Sequence, residues 1–530
     1  MALLGKTLSA AGALVVAAAT MGAQAPAKPA CDIGDALKGN TARASLSFDL
    51  ARQAATGPVA TTKLKEAVKA LESADKNEDS VARSYVMGEA LSLWLNQPGT
   101  GANPRRGDVG FTTNPDAPID LVGSVDSLFK IVEAAKPLCS DFTAYYRGGQ
   151  KFYLDLANNA INALNADKLD SAEIYATQAN RLYPGSPYGV MVLGSVAAKR
   201  NNNEQAVKFW SQAATIADKD STYRDVRRQM LANVGSVYLN SAQSASAQAD
   251  KAAAARKAAD AYRDLLAVPG TKGSYGYGGR QSYQTAVLLA GDTAAFVKSY
   301  EPLLANPTQY EYQDLLNSAV NAARTNKNAD AAKLFDATLA QNPYNRDALF
   351  NQGVVLLALG QNDRVSPIVT RLVAVDPGNP ENYNLGARAY LELAKQAQTA
   401  KKTSVAAAYN DSTLSWYNRG NKLPVEVTFN EFSPSEKQLV MSGTVLDRRD
   451  KVDSPESAAR PAKGKAPAKP AASKLPPKAV TLKFEALDKS GAVVGTQSVT
   501  TEPLTPGKST KFSVTVPAAN AVAYRYTITD

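Results

Sequence analysis

Along residues 153–220 the small and large positions recur twice at one offset. Ala172, Ala176, Ala179 and Pro184 are matched by Ala206, Trp210, Ala213 and Asp218, each pair 34 residues apart. Val190, Leu193, Gly194 and Ala197 lie between them at helical spacing. A second in-register pair follows, in which Phe335, Leu339 and Pro343 are matched by Val369, Val373 and Pro377, again 34 apart. Leu349, Gly353 and Leu356 predict a helix that stops at Gly360, with Asn362 placed to cap the next. One helical hairpin cannot bury its apolar face alone, so such units are stable when three or more stack. Two matched pairs about 160 residues apart therefore predict a continuous array.

From Pro424 the apolar period changes to two. Val425, Val427 and Phe429 alternate, as do Val480, Leu482, Phe484 and Ala486, then Phe512, Val514 and Val516, then Val522, Tyr524, Tyr526 and Ile528. With Leu439–Leu446 and Val493–Val499 this predicts six strands in roughly 107 residues, enough for a two-sheet sandwich. Lys451–Lys478 interrupts them with Ala, Pro, Lys and Ser, a composition that cannot offset ordering entropy and predicts disorder. Its seven Lys/Arg against two acidic residues supply half of the chain's net charge of +10. The tract is either a solvated loop or a weak contact for an anionic envelope surface. It has no interleaved aromatics, so nucleic acid is not expected as a partner.

A 34-residue period is the tetratricopeptide spacing, and Val190, Leu193, Gly194 and Ala197 fit that family's W-x₂-L-G-x₂-Y positions with smaller residues at both aromatic slots. The chain thus resembles tetratricopeptide repeat (TPR) proteins. The resemblance implies an all-α TPR solenoid, a right-handed superhelix of helical hairpins, that binds a protein or peptide rather than running a reaction. The strand region resembles the FxLYD type of small Ig-like domain on bacterial exported proteins. In TPR arrays the first helix of each hairpin builds the concave wall. Carried onto the copy beginning at Pro187, the wall positions are Tyr188, Met191, Ser195 and Ala198. On the copies beginning at Tyr312 and Arg346 they are Gln313, Leu316, Val320 and Ala323, then Asp347, Phe350, Val354 and Leu357. Family members that grip a C-terminal carboxylate place Lys and Asn at such positions, and this sequence departs from that pattern. Two readings stay open: an apolar groove for a helix or extended peptide, and side chains that only pack within the superhelix.

Lys6 precedes an apolar run from Leu8 to Ala19, followed by Gly22, Ala23 and Ala25, which reads as a signal peptide over residues 1–25 with cleavage after Ala23. The run is too short for a transmembrane helix, which needs roughly 20 residues. An exported, periplasmic or extracellular protein is expected, and in an oxidising compartment Cys31 and Cys139, the two cysteines, are expected to pair. Residues 26–148 read as a helical N-terminal cap, with faces at Leu46, Leu50, Ala54, at Leu64, Val68, Leu71, and at Tyr85, Gly88, Leu91, Leu95. Asp79 is placed as a helix cap. Residues 149–423 then form the solenoid and residues 424–530 the sandwich. The stretch Gln97–Pro118, about 22 residues rich in Gly, Pro, Asn and Thr around Arg105 and Arg106, is longer than ordinary connections and is either functional or disordered. Asn240–Asp250 is an insertion within a repeat. In Gly273–Tyr283, Tyr275, Tyr277, Arg280 and Tyr283 stand among glycines and serines, as an aromatic contact surface or an ordinary inter-repeat loop.

Composition narrows the chemistry. Over 530 residues, 45% are hydrophobic and 20% charged, which fits a large buried surface. Histidine is absent, which removes His-based acid–base and nucleophile systems, and with two cysteines it removes the usual zinc sites. No phosphate-binding glycine loop follows a strand. No cofactor, metal or catalytic residue is expected. The leading expectation is a non-catalytic envelope scaffold, and the alternative is a binder of cell-wall glycan or another envelope polymer.

Overall fold

The computed structural model describes residues 31–148, 151–452 and 475–529. The segment expected to be a signal peptide and most of the Lys451–Lys478 tract lie outside them. The chain forms two compact units, the second beginning at Ser221.

The first unit holds α1 (Gly39–Ala54), α2 (Pro58–Glu72), α3 (Ser80–Leu95), α4 (Leu121–Ala135), α5 (Ser140–Gly148), α6 (Lys151–Asn165), α7 (Leu169–Leu182), α8 (Pro187–Lys199) and α9 (Asn203–Ala217). The starts follow capping chemistry: the Asp79 carboxylate accepts from the Val81 and Ala82 amides, and Asp120 and Asn202 cap α4 and α9 in the same way. Consecutive helices pair as α1/α2, α3/α4, α6/α7 and α8/α9, and α8 stacks on both α6 and α7. Gly189 makes the α7–α8 contact close, because a Cβ there would lie 2.8 Å from the Ala176 carbonyl oxygen and the Asn180 amide. Cys31 and Cys139, 108 residues apart, form the expected disulfide.

The Gln97–Pro118 stretch is ordered. The Arg106 amide donates to Ala117 O at 2.8 Å and the Ile119 amide to Pro104 O at 2.9 Å, which closes the loop on itself. Glu72 at the end of α2 accepts from the Thr112 and Thr113 amides, and the Arg106 guanidinium lies 4.1 Å from the Phe111 ring centre.

The second unit holds α10 (Arg224–Ser244), α11 (Gln248–Ala267), α12 (Gly279–Leu289), α13 (Thr293–Ala305), α14 (Tyr312–Arg324), α15 (Asn328–Gln341), α16 (Arg346–Ala358), α17 (Val365–Val375), α18 (Pro380–Thr399) and α19 (Thr403–Asn421). The starts at Tyr312, Arg346 and Pro380 fall 34 residues apart. The hairpin turns repeat too: Asn326 and Gly360 take φ of 59° and 71° in this unit, as Asp167 and Asn201 take 58° and 61° in the first. The left-handed turn conformation is cheapest for Gly and Asn. The Asn240–Asp250 insertion is absorbed as extra helical turns, giving α10 and α11 lengths of 21 and 20 residues. First helices α12, α14, α16 and α18 pack in sequence, with second helices α13 and α15 on the other layer. In the Gly273–Tyr283 segment a π-helical turn at Ser274–Gly278 leads into α12, Glu311 accepts from the Gly273 amide at 2.9 Å, and Tyr275, Tyr277 and Tyr283 are half-buried.

The six expected strands are β1 (Val425–Pro434), β2 (Gln438–Asp447), β3 (Thr481–Leu487), β4 (Val493–Thr500), β5 (Ser509–Pro517) and β6 (Ala523–Thr529). They form two three-stranded antiparallel sheets, β1-β2-β5 and β4-β3-β6. Phe429, Phe484, Phe512 and Tyr526 fill the space between them. Pro476 and Lys478, at the end of the basic tract, are anchored, since Pro476 O accepts from Arg449 and the Lys478 amide donates to Leu504 O.

The sheets dock on the ends of α15–α18 through buried polar bonds. Tyr526 Oη donates to the Asp376 carboxylate at 2.6 Å and accepts from the Gly378 amide at 3.0 Å. The Val427 amide donates to Gly378 O at 2.9 Å, and Asn342 Nδ2 to Val522 O at 3.0 Å. Gly378 allows this approach, because a Cβ there would meet Tyr526 Oη at 2.8 Å.

Candidate functional site

Each first helix buries one stripe and leaves the next partly open. In α14, Leu315, Ser318, Ala319 and Ala322 are fully buried, and Gln313, Leu316, Val320 and Ala323 are half-buried. In α16, Leu349, Gln352, Gly353 and Leu356 are buried, Phe350 and Leu357 are half-buried, and Val354 and Asp347 are exposed. In α8, Val190, Leu193 and Gly194 are buried, while Tyr188, Met191, Ser195 and Ala198 are half-buried. The expected wall positions are therefore the ones left open in all three helices. A 3.6-residue period that buries one stripe in the hairpin must carry the adjacent stripe to the layer's outer surface.

Within the second unit α14 packs against α16, and Leu316 and Phe350, like Val320 and Val354, occupy equivalent positions 34 residues apart on the two helices. Leu316, Val320 and Phe350 touch the core with one side and leave the other open. On α18 the corresponding residues are Asn384, half-buried, and Arg388, exposed, so the apolar strip gives way to polar groups. Tyr188 and Met191 likewise rest on core clusters of the first unit. Ser195 Oγ donates back to Met191 O at 3.1 Å and turns its donor into its own helix.

Buried polar bonds hold the α12–α14 register. Arg280 Nε pairs with Asp314 at 3.0 Å, Gln284 Nε2 donates to Ser318 Oγ at 2.9 Å, and Asn321 Nδ2 donates to Gln284 Oε1 at 3.0 Å. Burial raises the Asp314 carboxyl above its ordinary value, and the Arg280 charge opposes that shift. Arg280 and Gln284 thus fix α12 against α14. Residue spacing did not single out Gln284, although a glutamine in the buried stripe of a helix is itself a signal of a polar partner.

Among the described residues, no group of three or more His, Cys, Asp and Glu side chains is placed to hold a metal ion. None of the described helices is long and apolar enough to cross a membrane.

No family model matches the sequence, and no curated protein matches it. Among solved structures, the chain is similar to a tetratricopeptide repeat protein from Parabacteroides merdae, at 15% identity and a TM-score of 0.28, over 49% of this chain and 98% of that one. It is also similar to Pseudomonas aeruginosa pilF, at 12% identity and a TM-score of 0.21, over 50% and 91% of the two chains. A third is the TPR domain of P58(IPK), at 11% identity and a TM-score of 0.19, over 72% and 89%. Likeness at this level carries neither partner nor chemistry, so function is argued from the chain's own residues.

Proposed function

We propose that this protein is a non-catalytic scaffold of the cell envelope that binds a protein or peptide partner through the open apolar stripe of its first helices. The observation that carries the reading is that Leu316 and Val320 on α14 and Phe350 and Val354 on α16 hold equivalent positions 34 residues apart, the first three half-buried against the core and Val354 exposed. Side chains of this kind suit the apolar anchors of an amphipathic helix or extended peptide. Export is supported by the Cys31–Cys139 bridge, since such bonds persist in oxidising compartments. The FxLYD-like domain, on this reading, is a rigid appendage docked on the last hairpins.

The test captures partners from envelope extract on the mature protein and identifies them by mass spectrometry. Serine at Met191 and at Phe350 should weaken capture about tenfold or more, because a hot-spot truncation costs roughly 2 kcal/mol. Circular dichroism should stay unchanged. Undiminished capture by folded variants overturns the site, and retention of glycan polymer in place of protein overturns the partner class.

A further inference from the structure

A cavity of about 290 Å³ opens between α1, α3 and α5 in the first unit, away from the first-helix wall. Its lining includes Phe48, Arg52, Tyr85, Glu89, Phe142 and Tyr146. Glu89 is only 6% exposed. Tyr85 and Tyr146 line the same cavity as Glu89, and their hydroxyls favour its ionised form. A carboxylate offers about four lone-pair positions, all acceptors, to a ligand entering the cavity.

We propose that this cavity binds a primary ammonium group, with Glu89 as the counter-charge and the rings of Phe48, Tyr85, Phe142 and Tyr146 as walls. Aromatic faces attract cations, most strongly where water is excluded. A buried carboxyl group repels anions. Arg52 is the lining cation, and it is held at 2.9 Å by Asp49, so its charge is balanced at the rim. The volume lies just under the roughly 300–1,000 Å³ of drug-sized pockets, which suits one short alkylammonium chain or one lysine side chain. Burial pushes Glu89 up to about 7, against the two tyrosine hydroxyls, with Asp49 raising it and Arg52 lowering it further. Both tyrosines are raised well above the ordinary phenol value, first by burial and then by Glu89, and so remain donors. An ammonium ion docking on protonated Glu89 forms the ion pair and releases that proton to solvent.

The experiment titrates the protein with n-butylammonium as a free amine and with Nα-acetyl-lysine amide as a side-chain source, following protein NMR shifts. Binding should be about thirty-fold weaker near pH 5.5 than near pH 8, the ratio of ionised fractions for a group titrating at about 7. Glu89→Gln should lose most of the binding. Saturation by both probes supports the site and admits lysine side chains, and saturation by butylammonium alone supports it for free amines. Equal binding of uncharged n-butanol, undiminished binding by Glu89→Gln, or tighter binding of wild type at the lower pH would each overturn it. The pH comparison on wild type stands even where the variant fails to fold.

Discussion

Replacing Tyr526 by phenylalanine removes one oxygen atom and leaves no cavity, yet it breaks two bonds at the junction of sheets and helices. Tyr526 and Asp376 are each 1% exposed. The lost donor served the Asp376 carboxylate at 2.6 Å, and the lost acceptor served the Gly378 amide at 3.0 Å. A hydrogen bond to a charged group contributes about 1.5–3 kcal/mol, and a buried amide left without an acceptor costs a further 1–3 kcal/mol or so. Burial already raises the Asp376 carboxyl above its ordinary value, with the Tyr526 hydrogen bond first and the Arg346 charge next among the influences opposing it. Local relaxation recovers part of the sum, and we expect a net loss of about 3 kcal/mol. By hydrogen exchange, segments containing Gly378 and β6 should then open and exchange about 150-fold faster, since each 1.36 kcal/mol is a factor of ten. Combining the change with Asp376→Asn in a double-mutant cycle should return a coupling above about 1 kcal/mol. An exchange change below about threefold in a folded variant would refute the view that these bonds hold the docking.

Urea unfolding from about pH 4.5 to 8 should show the Glu89 contribution with a definite sign. Its folded value of about 7 lies above the ordinary 4.5, so the folded state keeps a proton that the unfolded state has lost, and stability falls as pH rises through that window. The loss should approach 3 kcal/mol or so, and Glu89→Gln should flatten it; an unchanged slope in the variant would contradict the assignment. Serine at both Cys31 and Cys139 should lower stability by at most about 4.7 kcal/mol, the chain-entropy value for a loop on the order of 100 residues. Intact-mass measurement before reduction should find no free thiol. Gly189→Ala drives a methyl group into the α7 backbone, which cannot yield as a side-chain end can, and should cost about 2 kcal/mol by urea denaturation; a cost below about 0.5 kcal/mol would show that α7 and α8 separate easily.

The sequence by itself determined the elements and their repetition. The 34-residue offset between Phe335 and Val369 carried through to helix starts and hairpin turns, the period of two marked four of the six strands, and Asp79 was readable as a cap. These are local properties, because hydrophobic period and capping depend on residues within a few positions of each other. The half-open positions of α8, α14 and α16 were legible for the same reason, since a helix that buries one stripe must present the next. What the tertiary structure decided are the partners of buried polar groups. The Gln97–Pro118 stretch is held by Glu72, and its composition reads as a loop without the carboxylate some 40 residues away. Glu89 looks like one polar residue in an apolar helix until Tyr146 arrives from α5. Tyr526 reads as an ordinary strand position, and its role depends on Asp376, 150 residues earlier. A buried donor or acceptor must find a partner, and periodicity tells only that it is buried; which distant group meets it is settled when helices and sheets pack.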